Sequence, residues 1–467
     1  LKTGYILVLH YRHFISIAFV FVVTNSVWSQ SHPTAPALNS RPGASYTLYL
    51  NFAGFNYTGN WSTSGQAPGN VPAYNGQTGT TFTATEQANI KNIWARVSEA
   101  YAPYSNVNVT TVDPAVAAGQ AGTDLQRQNY YDATARVIHT VIGDGASTFY
   151  GSAGGVSYVN VWANAVSTGR HTNWAFVNRL GGVGAFHNIH TATTHEIGHA
   201  AGLSHQGDYI GATRVNDYSR NNGSTTLAPY LGVGYSATRN TWRSGRVSTN
   251  VNVIQNDPLT IMTRNPGIGL FNDGIGRTQA TATTLSFLGT GASIDYNLAR
   301  GIIVPASESN PNPIGANNYT FGYYRFTTTG GLNQVRVNAG NQFITPGVAD
   351  PDATLDATLR LLDINGTQIA ISDTTSLSET ISMNLAAGTY FIEVSSAGGK
   401  AGSLGPNGDW APSSYYDMGS YFLTGFIAVP EPSTVAFMGV SIVGAGLVWY
   451  RRRQQQRRTA DSDLSSL

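Results

Sequence analysis

His195, Glu196, His199 and His205 fall within the stretch Thr193 to Gly207, "TTHEIGHAAGLSHQG", of a 467-residue chain that has only ten histidines. On a helix of 3.6 residues per turn, His195 and His199 share one face, about 6 Å apart along the axis. Both imidazoles can therefore converge on one ion. Glu196 lies about 100° round the helix, so it is free to hold a water at the ion's open position instead of binding the ion. Gly202 suits the left-handed conformation that ends a helix, after which the chain can turn and bring His205 to a third coordination position. Three neutral nitrogens plus one open site describe catalytic zinc. The chain has no cysteine, so softer, thiolate-bound metals are disfavoured. A chance H-E-x-x-H is expected in on the order of one chain in a hundred of this composition, and requiring Gly202 and His205 as well lowers this to roughly one in a hundred thousand.

Regular elements must hold these side chains in place. Residues 46–54, "YTLYLNFAG", alternate as a strand does. Thr83 and Glu86 form a capping-box pattern, and Ile90, Ile93, Trp94, Val97 and Tyr101 then fall at helical spacing up to Pro103. Strands are expected at 107–112, 136–142, 156–162 and 173–178, followed by a helix across the histidines. The expected order is strand, helix, three or four strands, helix.

The motif H-E-x-x-H-x-x-G-x-x-H, formed by His195, Glu196, His199, Gly202 and His205, resembles the signature of the metzincin zinc metallopeptidases, here of the reprolysin-like, bacterial secreted kind. The resemblance implies an α+β catalytic domain at 45–272, a mixed twisted sheet plus the active-site helix. The zinc would lie at the floor of a cleft between that sheet and a smaller lower subdomain. An antiparallel edge strand would pair there with an extended polypeptide substrate; by order of elements it is 156–162, which also reads as an ordinary edge strand. Metzincins place a methionine under the zinc on a tight turn. Met262 has the right residue type but comes 57 residues after His205, whereas Leu231 in "LAPYLGVGY" stands at the more fitting distance. A leucine there roughly conserves volume and should cost under about 1.5 kcal/mol. Tyr235 could approach the metal or the transition state as a fifth ligand, or pack in the cleft wall. Asp208, His187 and His190 are read as hydrogen-bonding residues rather than ligands. The chemistry implied is amide hydrolysis: Glu196 takes a proton from a zinc-activated water and returns it to the leaving amine.

From about Asp273 to Gly425 the pattern changes to short strands separated by Gly, Asn and Asp turns: "YYRFTTT", "NQVRVNA", "ATLRLLD", "ETISMNL", "TYFIEVSS". Such spacing implies an all-β sandwich, and "LRLLDINGTQIA" reads as a hairpin turning at Asn365-Gly366. With "GRTQATATTL", "LAAGTYFIEVSS" and "GSYFLTG", residues 273–425 resemble the bacterial pre-peptidase C-terminal domain. That resemblance implies substrate or matrix binding and sometimes calcium (Ca2+). Asp356, Asp363 and Asp373 could supply oxygens, and turn chemistry explains them equally well. Two stretches, 305–318 and 398–414, read as loop-like insertions.

Charged residues make up only 11% and the net charge is +1, which gives no electrostatic case for nucleic acid. Lys2, Arg12 and His13 precede an apolar run from Phe14 to Val23, and Val27 and Ser29 suit signal peptidase cleavage near Ser29–Gln30. Residues 1–29 therefore read as a signal for the Sec route. At the other end, the segment 434–450 is uncharged and 17 residues long, the lower limit for a transmembrane helix. Arg451, Arg452, Arg453, Arg457 and Arg458 follow and hold the tail, 459–467, in the cytoplasm. Pro430, Glu431 and Pro432, the apolar segment and the arginines together resemble the PEP-CTERM sorting signal of Gram-negative bacteria, at 429–458. This implies a transient membrane anchor, processing by an exosortase-like enzyme, and release to the cell surface or extracellular matrix. The leading reading is a surface-sorted zinc endopeptidase. The alternatives are a matrix or adhesion protein with a vestigial peptidase domain, binding through its sandwich, and zinc hydrolysis of a non-peptide substrate.

Overall fold

β1 (Tyr46–Asn51) lies in the middle of its sheet and is buried almost throughout. A strand covered on both faces carries large apolar groups on both sides of its alternation, as "YTLYLN" does. A hairpin of β2 (Phe55–Asn56) and β3 (Asn70–Val71) follows, then α1 (Ala84–Tyr101), β4 (Val107–Thr110), α2 (Pro114–Ala117), α3 (Asp124–Ala133), β5 (Val137–Gly143), β6 (Gly155–Val156), β7 (Thr172–Phe176) and α4 (Phe186–Ala200). The sheet runs β4-β1-β5-β7-β6; the first four strands are parallel and β6 is an antiparallel edge. Strand side chains alternate between faces. Leu48, Leu50, Ile138 and Ile142 join the core beneath α1 and α4, while Tyr49, Val137 and Val141 join a second core with Phe55, Tyr131 and Trp174.

This computed structural model describes residues 32–428 apart from 77–79, 121, 165–169, 221–225, 290–291, 314, 341–349 and 400–413. The expected signal at 1–29, the sorting signal at 429–458 with its helix 434–450, and the tail 459–467 lie outside the described residues. Among the described residues no helix is long and apolar enough to cross a membrane.

Two features depart from the sequence-based expectation. α2 and α3 stand between β4 and β5, where no helix is expected. Thr123 and Gln126 form a capping box at α3, the same signal that marks α1 at Thr83 and Glu86. The edge strand expected over 156–162 is also shorter: only Gly155 and Val156 pair, with Ala175 and Trp174. The chain then leaves the sheet. The N–H groups of Asn160, Val161 and Trp162 donate instead to the carbonyls of His199 and Ala200 at 2.9–3.1 Å. A helix C-terminus leaves carbonyls without partners inside the helix, and this segment satisfies those of α4.

After α4 come β8 (Asp208–Ile210), β9 (Thr213–Asn216), β10 (Leu227–Pro229), β11 (Arg239–Thr241), β12 (Arg243–Arg246), β13 (Ile254–Asn256) and α5 (Asp257–Arg264). The second half holds β14 (Thr283–Thr284), β15 (Arg300–Ile303), β16 (Gly322–Thr328), β17 (Gly331–Ala339), β18 (Ala357–Leu362), β19 (Gln368–Ser372), β20 (Glu379–Leu385), β21 (Gly388–Ser396), β22 (Ser414–Tyr415) and β23 (Gly419–Phe426). Its sheets, β14-β16-β21-β18-β19 and β15-β23-β17-β20, form the expected sandwich. The β18–β19 hairpin turns where the sequence places it. Gly366 has φ +81° and its N–H donates to Asp363 O at 3.0 Å, a turn whose last residue needs the left-handed region.

The two halves are interlocked. β22, from the second half, pairs with β12 of the first, giving a sheet β13-β12-β22. Arg239 Nη2 donates to Asp417 Oδ1 at 3.1 Å and to Thr354 O at 2.9 Å. Glu99 Oε1 on α1 accepts from Ser420 N at 2.8 Å and Thr354 Oγ1 at 3.1 Å. One contiguous core runs from Leu48 through Trp242 to Leu423.

Candidate metal centre

α4 is buried along most of its length. His195 and His199 project from one face of it, as their spacing dictates. The helix ends where the motif requires. Gly202 has φ +106° and its N–H donates to His199 O at 2.8 Å, while Leu203 N–H donates to Gly198 O at 3.0 Å. This is the Schellman arrangement, and it reverses the chain towards His205. A side chain at Gly202 is excluded twice, by that φ and by Arg264 Cγ, 2.8 Å from where its Cβ would lie. His205 is then pinned by its own carbonyl, which accepts from Ser248 N at 2.8 Å.

The three imidazoles meet at their Nε2 atoms. His205 Nε2 lies 2.8 Å from His199 Nε2 and 3.1 Å from His195 Nε2. His195 Nδ1 stands 2.7 Å from Tyr230 O, and His199 Nδ1 stands 2.7 Å from Leu203 O. A carbonyl accepts only, so each of these Nδ1 atoms carries the proton and each Nε2 presents a lone pair. Burial drives all three pKa values down. The neighbouring imidazoles add to this for His195 and His205, and His205 falls to about 3. Neutral rings with lone pairs converging at this distance repel one another unless a cation lies among them. A tetrahedral zinc with bonds of about 2.0–2.1 Å sets its donors roughly 3.3 Å apart, a few tenths of an ångström beyond what is seen here. The donor set fits a zinc ion.

Glu196 is buried beside this cluster, and burial raises its pKa well above the usual carboxyl range. It rests against Gly155 of β6, where a Cβ would lie 2.6 Å from Glu196 Cγ and 2.6 Å from Oε1. An open cleft of about 540 Å³ holds the three histidines, Glu196, residues 154–157, Tyr218 and Tyr235. Tyr235 is 40% exposed as a residue, but its hydroxyl end sits in the cleft, where burial, with Glu196 and Tyr218 adding to it, pushes its pKa up to about 12. Its hydroxyl lies 2.9 Å from where a Cβ on Gly154 would be.

Leu231 is fully buried, and its Cδ2 stands 3.1 Å from where a Cβ on Gly198 would lie. It forms an apolar floor under the histidine helix, and its carbonyl accepts from Gln206 N at 2.9 Å. Met262 lies one helix away, in α5. Asp208, read as a hydrogen-bonding residue, accepts from Ser219 Oγ at 2.6 Å and from Arg220 N at 3.1 Å. It thereby shapes the loop that carries Tyr218. Tyr218 was not expected from the sequence: its ring centroid is 4.3 Å from that of His205 and 6.4 Å from that of His195. Nothing in its spacing marks it. Gly154-Gly155 did carry a signal, a glycine pair opening a strand pattern, which often marks close approach of another group.

Among the described residues, two groups of three or more candidate ligands come within 4.8 Å: His195 with His199 and His205, and His187 with His190 and Asp352. Asp356, Asp363 and Asp373, the residues considered for calcium, belong to neither. Asp356 faces Arg239 at 3.8 Å, and Asp363 accepts from Asn365 N and Thr367 N in its own hairpin turn.

Residues 428–453 match the PEP-CTERM protein-sorting motif. The chain is thus an exported, surface-sorted protein of the Gram-negative type, processed by an exosortase-like enzyme. The matched family model covers that motif alone, and no curated protein matches the chain. Among solved structures it is similar to the pre-peptidase C-terminal domain of collagenase from Bacillus anthracis, with 14% identity over 31% of this chain and 92% of that one, at a TM-score of 0.17. It is similar also to a CBM35 from Cellvibrio japonicus, with 13% identity over 32% and 88% and a TM-score of 0.13. The sandwich itself is given by its two sheets, β14-β16-β21-β18-β19 and β15-β23-β17-β20.

Proposed function

We propose that this chain is a surface-sorted zinc endopeptidase of the metzincin type, exported through the Sec route with signal peptidase cleavage. The observation that carries it is the meeting of three neutral Nε2 atoms at 2.8 and 3.1 Å beside a buried carboxyl group in an open cleft. His195, His199 and His205 would hold the ion, with the Tyr230 and Leu203 carbonyls orienting two of the rings. When bound, zinc supplies Lewis acidity and makes water acidic enough to act near neutral pH. Glu196 would take a proton from the attacking water and hand it to the leaving amine, its ionised form being favoured against burial once the histidines held a cation. The short edge strand at Gly155 and Val156 pairs with an extended polypeptide, and the protonated hydroxyls of Tyr235 and Tyr218 donate to the developing oxyanion. Leu231 serves as the packing floor in place of a methionine.

Glu196→Gln tests the reading. Zinc should stay at the wild-type level while turnover of a denatured protein falls by about 10²–10⁴-fold, the usual worth of a general base. Wild-type turnover in that variant would remove Glu196 from the mechanism. A wild-type protein that holds zinc and cleaves no unfolded polypeptide would remove the peptidase altogether.

A further inference from the structure

The sandwich half reaches the histidine helix through one buried carboxylate. Asp352 Oδ2 accepts from Arg96 Nη1 at 2.6 Å, from His190 Nε2 at 2.6 Å and from His187 Nδ1 at 3.2 Å. Arg96 belongs to α1 and both histidines to the start of α4. Arg96 Nη1 also reaches Asp350 Oδ1 at 3.1 Å, and that oxygen accepts the Asp352 N–H at 3.0 Å. A metal ion here would have to share Asp352 Oδ2 with a guanidinium, so the cluster is an ion-pair network and not a second metal site.

His187 makes one more bond, which leads to the cleft. Its Nε2 lies 3.2 Å from Gly234 O. Both ring nitrogens therefore face acceptors. A neutral imidazole can donate to only one of them, and the imidazolium donates to both. The charged groups facing His187 are Asp352 from the sandwich and Arg96 from α1, and the titratable ring of its helix neighbour His190 also faces it, with a pKa that burial lowers. Burial opposes the charge on His187, but the Asp352 carboxylate and the Gly234 carbonyl outweigh it and raise its pKa, with Arg96 acting against them. Burial also opposes the charge on Asp352, yet His190, His187 and Arg96 hold its pKa well below the carboxylate range.

Gly234 is gripped from its other side as well. A Cβ there would lie 2.3 Å from Asn240 Oδ1, and Asn240 Nδ2 donates to Thr191 Oγ1 on α4 at 2.8 Å. The next residue is Tyr235, in the cleft wall. Eight residues of helix, about 12 Å, separate His187 from His195, so Asp352 touches none of the reacting atoms.

We propose that Asp352 is a positioning residue for the cleft: through His187 and the Gly234 carbonyl it fixes Tyr235 beside the substrate, which makes the sandwich a working part of the site. This rests on the peptidase reading above. Residues that act as one unit lose their effects non-additively, and a group that acts on the transition state changes kcat and leaves KM alone.

The test uses the full chain with denatured casein as probe, in His187→Ala, Tyr235→Phe and the double variant. Each single change should lower kcat by on the order of 10²-fold, with KM within about twofold and zinc at the wild-type level. The double variant should lose no more than either single one. His187→Gln, which keeps a donor for Gly234, should recover most of the rate. Asp352→Asn should reproduce His187→Ala, and it carries the same criteria if His187→Ala does not fold. An unchanged kcat in His187→Ala, or losses that multiply to on the order of 10⁴-fold in the double variant, would overturn the positioning role while the peptidase reading stood. A zinc-loaded wild type that leaves casein intact would overturn both.

Discussion

Replacing Gly155 by alanine places a carbon 2.6 Å from Glu196 Cγ, 2.6 Å from Glu196 Oε1 and 2.6 Å from Trp174 O. Carbon atoms pack best at about 3.5–4.0 Å, so the overlap with Cγ approaches roughly 0.9 Å and those with the two oxygens are somewhat smaller. The Trp174 carbonyl cannot retreat, because β7 is held between β5 and β6. Either Glu196 moves or the two-residue edge strand swings outward, and both displace the catalytic geometry by most of an ångström. Overpacking of this kind costs typically about 1–3 kcal/mol of stability. A misplacement of about 1 Å at a reacting group costs on the order of 10²-fold in rate. The three histidines are untouched, so zinc content should not change. The assay compares initial rates on denatured casein, zinc per chain and the thermal unfolding midpoint. Gly184→Ala is the control: nothing lies within 4 Å of its added methyl, so its turnover should stay within about twofold of wild type. A Gly155→Ala protein with full zinc and wild-type turnover would refute the placement of Glu196 against β6, and with it the assigned base.

Leu231→Met should shift the unfolding free energy by less than about 1.5 kcal/mol, and Leu231→Ala should cost about 2–5 kcal/mol, as measured by denaturant unfolding of the zinc-loaded protein. Adding free zinc at about 100 times its Kd to chelated protein should raise stability by roughly 2.7 kcal/mol; His205→Ala should lose that increment, which calorimetry reads directly. The raised pKa of His187 in the folded state implies a stabilisation fully present below its unfolded value of about 6.5 and lost as pH rises through the higher folded value. The stability difference between wild type and His187→Ala should therefore be largest in mild acid and shrink as the medium turns alkaline. A difference that stays constant or grows with pH would mean that Asp352 does not hold a protonated His187.

The convergence of His195, His199 and His205 was legible because helical periodicity is local. The four-residue step from His195 to His199, and a glycine at 202 able to take φ +106°, fix where the rings point with little help from the rest of the chain. The same holds for the capping boxes at α1 and α3 and for the turn at Gly366. Strand alternation likewise marks the sandwich strands, since period two survives any pairing partner. The extent of the edge strand was not legible. Whether 157–162 pairs with a sheet or caps a helix depends on the His199 and Ala200 carbonyls, which sequence distance does not bring near. Tyr218 and the Asp352–His187–Gly234 link are of the same kind: each joins residues from separate elements, and their meeting is fixed by packing. By itself the sequence determined the histidine and glutamate cluster of one helix and its Gly202 exit, the succession of an α+β half and a β-sandwich, and the sorting signal. Only the tertiary structure decided that the halves share a sheet and a core, and that a sandwich carboxylate grips the histidine helix. Local propensities fix what each segment becomes, while the closure of long loops around buried, mutually satisfied polar groups fixes which segments meet.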